Sequence, residues 1–170
     1  MSLSMYQASV PVFARALGNL SAVLKKGEAH AQARGAAAEN LLQMRLIFDM
    51  LPLTRQVQIA ADTATRGAAR LAGVEARSFP DTETSFAELY TRLEDSVDYL
   101  HSFSAEQIDG SEDRPIHMKM RSGDMHFSGQ DYLLGFALPN LYFHCATAYD
   151  ILRQAGVAIG KRDFLGADRR

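Results

Sequence analysis

The 170 residues fit one domain, and 47% hydrophobic with 22% charged residues is ordinary for a globular chain with a substantial core. A net charge of −2 with both signs interspersed speaks against a nucleic-acid partner, and the single cysteine excludes an intramolecular disulfide framework. No basic-then-apolar leader and no apolar run of about eighteen residues is present, so neither a signal peptide nor a membrane span is expected, and the expected location is the cytoplasm.

Ser2–Lys26 reads as the first helix, with Val10, Phe13, Leu17, Leu20 and Leu24 in one apolar stripe and Pro11 setting a bend. Gly27–Gly35 loses its large apolar side chains and reads as a connector over the end of a bundle. Ala36–Met50 turns helical again. Pro52–Leu71 is the second main helix, with a proline in its first turn, an alanine-rich stripe and Gly73 as its stop. A turn-rich connection, 74–84, leads to a capping box at Ser85 and Glu88 and a third helix ending near Phe103.

Residues 114–128 change period. Ile116, Met118 and Met120 alternate with polar residues, Ser122-Gly123 is a turn pair, and Met125 and Phe127 alternate with His126. This spacing predicts a β-hairpin, which needs a bundle to lean on. Ser128 caps the last helix, which ends at Gly156, and 157–170 reads as a tail. The pattern is all-α: a four-helix bundle with a hairpin between its third and fourth helices, one domain over residues 1–170.

Bundles place their sites on inward-facing polar side chains. The stretch Leu138–Arg153 puts Pro139, Asn140 and His144 on an otherwise apolar helix, and Asn140 and His144, four apart, share a face. His144 has apolar neighbours and is expected to be buried, as a core histidine held by one hydrogen bond or as a ligand group. Asn140 has two readings: a bond to backbone freed by Pro139, or a contact to a bound molecule. Gln56 and Asp49 would share a face only if the helix ran through Pro52, and Asp49 reads as a helix-capping carboxylate. Cys145 points about 100° away from His144 around the helix and reads as a buried, inert thiol. No H-x-x-x-H pair, CxxC or Ser–His–Asp arrangement is present.

The strings Leu3-Ser-Met-Tyr-Gln-Ala-Ser-Val-Pro, Gln56-Val-Gln-Ile-Ala, Arg70-Leu-Ala-Gly, Leu138-Pro-Asn-Leu-Tyr-Phe-His, Ala148-Tyr-Asp-Ile-Leu-Arg and Gly160-Lys-Arg-Asp-Phe-Leu-Gly are distinctive together. In them the chain resembles the domain-of-unknown-function family 1993 (DUF1993), one of the DinB-like bundles. The resemblance implies an up-and-down four-helix bundle that is often dimeric, in a superfamily containing metal-dependent thiol transferases. Those enzymes hold their metal with one histidine on the second helix and an H-x-x-x-H pair on the last. His144 matches the second histidine of that pair by its distance to Arg153 and Gly156. Asn140 then stands at the first and Gln56 at the second-helix position, and carboxamide oxygens are poor ligands for first-row transition metals.

The resulting expectations are three. The first is a cytoplasmic protein binding a small ligand around Gln56, Asn140 and His144. The second is a transferase acting on a low-molecular-weight thiol, with a divalent zinc, nickel or iron ion on His144 lowering the pKa of the bound thiol or water. The third is a structural homodimer whose pocket is a relic.

Overall fold

Local chemistry sets most helix ends. In the computed structural model, which describes residues 3–120 and 123–166, α1 is Met5–Ala33, α2 Glu39–Leu42, α3 Leu53–Ala72, α4 Phe86–His101 and α5 Ala105–Ile108. Then come β1 (Ile116–Met120), β2 (Gly123–Phe127), α6 (Gly129–Tyr132), a π-helical turn (Leu133–Ala137), α7 (Leu138–Gln154) and α8 (Lys161–Leu165). Ser4 with Gln7 and Ser85 with Glu88 form reciprocal caps on α1 and α4, each satisfying two otherwise orphaned N–H groups. Pro52 precedes α3, and Gly73, at φ 70°, ends it in the left-handed conformation that glycine adopts without strain.

Two boundaries differ from the expected ones. Residues 27–33, expected as part of a connector, continue α1. Here small side chains signal close packing: a Cβ at Gly27 would lie 2.8 Å from Leu152 Cδ2, and Ala31 is buried. Conversely, Ala36–Met50 holds only the single helical turn of α2. The rest is a loop pinned by Leu53 N–H donating to Met44 O (2.9 Å) and Thr54 Oγ1 donating to Leu42 O (3.1 Å). Its apolar residues do not face one way: Leu41 and Leu42 are buried, whereas Ile47 and Phe48 are exposed.

α1, α3, α4 and α7 share one core, with Phe13, Leu17, Val57, Leu89, Leu141 and Ile151 all removed from solvent. Ala60, Ala61, Ala64 and Ala68 of α3 are fully buried, which brings neighbouring helices close. The molecule is mostly helical with a two-stranded hairpin, as the sequence pattern requires. In the hairpin Ile116 pairs with Phe127, His117 with His126 and Met118 with Met125. Ile116 and Met118 are buried against the helices. The expected Ser122-Gly123 turn falls partly outside the described residues.

The up-and-down order is corrected. Tyr90 near the start of α4 bonds Glu28 near the end of α1, and Asp109, beyond α4, accepts from Tyr6 N–H at the start of α1, so α1 and α4 are antiparallel. Gln58 bonds Glu83 just before α4, and Arg77, just after α3, donates its N–H to Tyr99 late in α4, so α3 and α4 run the same way. α3 and α7 are antiparallel, by the Gln56–His144 and Thr63–Asn140 contacts. The order is therefore up, down, down, up. It requires a crossover as long as a helix: the 20 residues of α3 rise about 30 Å, and residues 73–85 can span about 43 Å when extended.

The segment expected as a tail is docked over its described part, 157–166. Asn19 Nδ2 donates to Phe164 O (3.2 Å), Arg15 Nη2 donates to Leu165 O (3.1 Å), and Lys26 pairs with Asp163. These contacts lay α8 across α1.

Candidate functional site: the Gln56–His144 pair

α3 and α7 lie side by side, antiparallel, so residues seven apart on α3 meet residues four apart on α7. Gln56 meets His144 and Thr63 meets Asn140. The register of α7 is set just upstream. In the π-helical turn Leu138 N–H reaches five residues back to Leu133 O, so one extra residue is accommodated immediately before Pro139, which has no N–H of its own to place. Where a bend was expected at Pro139, the chain has a widened turn just before it, a device that re-aims every side chain after it.

Gln56 is 2% and His144 9% exposed. The Gln56 amide is orientated by its Nε2, which donates to Leu51 O at 3.0 Å. Its Oε1 therefore faces His144 Nδ1, at 2.7 Å. A carbonyl oxygen can only accept, so Nδ1 carries the proton and Nε2 of the neutral ring keeps its lone pair. Among the described residues Nε2 has no hydrogen-bond partner, and it is not sealed from solvent. Burial holds the imidazole below its ordinary pKa, which favours this neutral form. The Phe143 ring stands edge-on to the imidazole with centroids 5.2 Å apart. The geometry is that of an orientated acceptor near the surface, with an amide fixing its tautomer from behind.

Asn140 is half-buried and donates through Nδ2 to Thr63 Oγ1 at 2.9 Å. Among the described residues it makes no hydrogen bond to Gln56 or His144, so the three expected residues fall, together with Thr63, into two adjacent pairs along one helix interface. Asp49 lies outside α3, exposed, in the loop before it. Cys145 is buried, and burial pushes its thiol up to about 12, so it is protonated and unreactive at neutral pH.

The three-histidine metal centre implied by the resemblance needs three donors converging on one point. Gln56 Oε1 is committed to the imidazole N–H, Asn140 is bonded to a hydroxyl, and among the described residues no group of three or more His, Cys, Asp or Glu side chains converges. The residues do not fit a three-ligand transition-metal site.

Thr63 and the Leu51 carbonyl were not singled out in the sequence. Thr63 could have been found, because it stands seven residues after Gln56 on the same helix face. The Leu51 carbonyl could not, since it depends on how the loop folds back.

Comparison with known proteins bears on this interface. The crystal structure of a DinB family member protein from Shewanella denitrificans is similar to this chain, with 39% identity over 97% of this chain and 93% of that one, and a TM-score of 0.88. Among curated proteins nothing matches. The family model described as "Domain of unknown function (DUF1993)" matches residues 5–165, from the first residue of α1 to the last of α8. The chain belongs to the DUF1993 family.

Proposed function

We propose that this protein is a single-domain, cytoplasmic binding protein for a small molecule, and that His144 is the polar anchor of its site. The observation that carries this reading is the Gln56–His144 bond. Gln56 spends both ends of a buried amide to hold one tautomer of one ring, and that tautomer offers an unshared electron pair at Nε2. The complementary ligand has an N–H or O–H to donate. Phe143, 55% exposed, and Leu51 supply apolar surface beside it. Asn140 borders the site and its carbonyl oxygen is a second acceptor. Catalysis by a metal-dependent thiol transferase would need ligands that the donor set does not supply, so no metal-borne step is assigned.

The test reads the ring directly. Imidazole nitrogen chemical shifts of ¹⁵N-labelled protein at pH 7.5 are expected to show His144 protonated at Nδ1. A fragment screen by ligand-observed NMR is expected to yield hydrogen-bond donors whose binding His144→Ala abolishes. A ring protonated at Nε2, or a screen with no His144-dependent binder, overturns the reading.

A homodimer is the second reading, favoured by one observation. Ile47, Phe48 (87% exposed) and Leu51 form an apolar stretch next to α3 that no described residue covers. A second copy would bury it. Sedimentation should then show a dimer that Phe48→Glu converts to monomer, and a monomeric wild type would end this reading.

A further inference from the structure

A groove lies on the other flank of α7, where α7, α1 and α8 meet. The geometry points to a binding site here for a small amphipathic carboxylate, separate from His144. The groove encloses about 430 Å³, within the range of small-molecule sites. Its walls are mainly apolar, from Val12, Ala16, Leu20 and Val23 of α1, Cys145 of α7 and Phe164 of α8, with the neutral amides of Gln7 and Asn19 among them. The space exists because α1 presents small or branched side chains at four- and three-residue steps along this face. Tyr149, edge-on to Phe164 at 5.9 Å, closes one side instead of filling the groove.

The charge of the groove selects the ligand. Among the described residues Arg15 is the one charged side chain of the lining, and no carboxylate lines it. Arg15 gives Nη2 to the Leu165 carbonyl, which steadies the guanidinium at the rim and leaves further N–H groups for an incoming anion. Tyr142 lines the groove together with Arg15 and Cys145, and burial holds its phenol above the usual value, so it offers a neutral hydroxyl there. A molecule that fits has an apolar body against Leu20, Val23 and Cys145 and one carboxylate facing Arg15. The same arginine also holds α8 in place, so the third wall and the charge anchor are one construction.

The probe is 8-anilinonaphthalene-1-sulfonate, an aromatic anion that fluoresces when it leaves water. It is expected to bind saturably with one site per chain. Octanoate should displace it at concentrations at least tenfold lower than 1-octanol. Arg15→Gln, at an exposed position that can still reach the Leu165 carbonyl, should reduce that preference to less than twofold. Ala16→Phe should abolish probe binding, and Val12→Trp replaces it if far-UV circular dichroism shows Ala16→Phe unfolded. Non-saturable fluorescence, equal displacement by octanol, or an undiminished octanoate preference in Arg15→Gln overturns the proposal.

Discussion

Gln56 is the residue on which the candidate site turns. Two hydrogen bonds end on its buried amide, and removing it strands the Leu51 carbonyl and the His144 N–H together. A buried polar group left without a partner costs about 1–3 kcal/mol, so Gln56→Ala is expected to lower stability in urea by about 2–4 kcal/mol. The same variant frees the imidazole to change tautomer, visible in its nitrogen shifts. His144 itself predicts a pH dependence. Its folded pKa lies below the unfolded one, so the folded state binds fewer protons between the two values. Its contribution is whole above about pH 6.5, the ordinary imidazole value, and shrinks as pH falls toward the folded pKa. His144→Gln should flatten that part of the stability profile, measured by chemical denaturation from pH 5 to 8. At this scale the sequence was informative about identity and not about partnership. His144, Asn140 and Gln56 stand out as polar groups on apolar helices, but which atom faces which depends on the pairing of α3 with α7.

At the scale of elements, the junction between hairpin and last helix is the most constrained. Gly129 opens α6, and a Cβ there would run into the backbone carbonyl of Ser111, while Gln130 N–H donates to Glu112 O at 2.9 Å. Backbone cannot step aside as a side-chain tip can. Gly129→Ala is therefore expected to cost more than about 2 kcal/mol in thermal or urea unfolding, although alanine is the better helix former. The displaced helix start would carry the π-helical turn with it, so His144 nitrogen shifts should move as well. The caps of α1 and α4, the stop at Gly73 and the alternation of the hairpin are all readable from local spacing, because each is made by residues within a few positions of one another. The extension of α1 through 27–33 is not, because its reason is Leu152, far along the chain.

For the whole molecule, the deciding feature is the crossover 73–85 that lets α3 and α4 run in parallel. It is tied down by Arg92, whose side chain is 2% exposed. The guanidinium donates to Asp62 (2.5 Å), Glu83 (2.9 Å), Asp81 (3.3 Å) and the Pro80 carbonyl (3.1 Å), and lies over the Phe79 ring. Arg92→Met would take a buried donor from the partly buried Asp62 and Glu83 carboxylates and from the Pro80 carbonyl, while Arg66, Arg55 and Gln58 stay on Asp62, Asp81 and Glu83, a loss of about 1–3 kcal/mol. Hydrogen exchange should localise the loosening to 73–85. Partial burial pushes the Asp81 carboxyl up, but the bond and charge of Arg55, with Arg92, hold it below the usual carboxylate value. A lowered folded pKa means that this support is complete above about pH 4 and is lost as pH falls through the folded value. Protection of the crossover should therefore fade in acid, and Asp81→Asn should remove part of that dependence. No local pattern announces Arg92: in α4 it is one charged residue among several, and its burial is created by a loop that returns from the far end of α3.

The sequence by itself determined the helical class, the hairpin, most helix ends, the family resemblance and the three residues of the candidate interface. These follow from hydrophobic period, capping chemistry and short strings, which act over one or two turns of chain. Only the tertiary structure decided that Gln56 fixes the tautomer of His144, that Asn140 pairs with Thr63, and that α3 and α4 run in parallel. It alone placed α8 over α1 to wall a groove around Arg15. Those outcomes depend on which surfaces meet, and surfaces meet through contacts between residues far apart in sequence, where local periodicity carries no information.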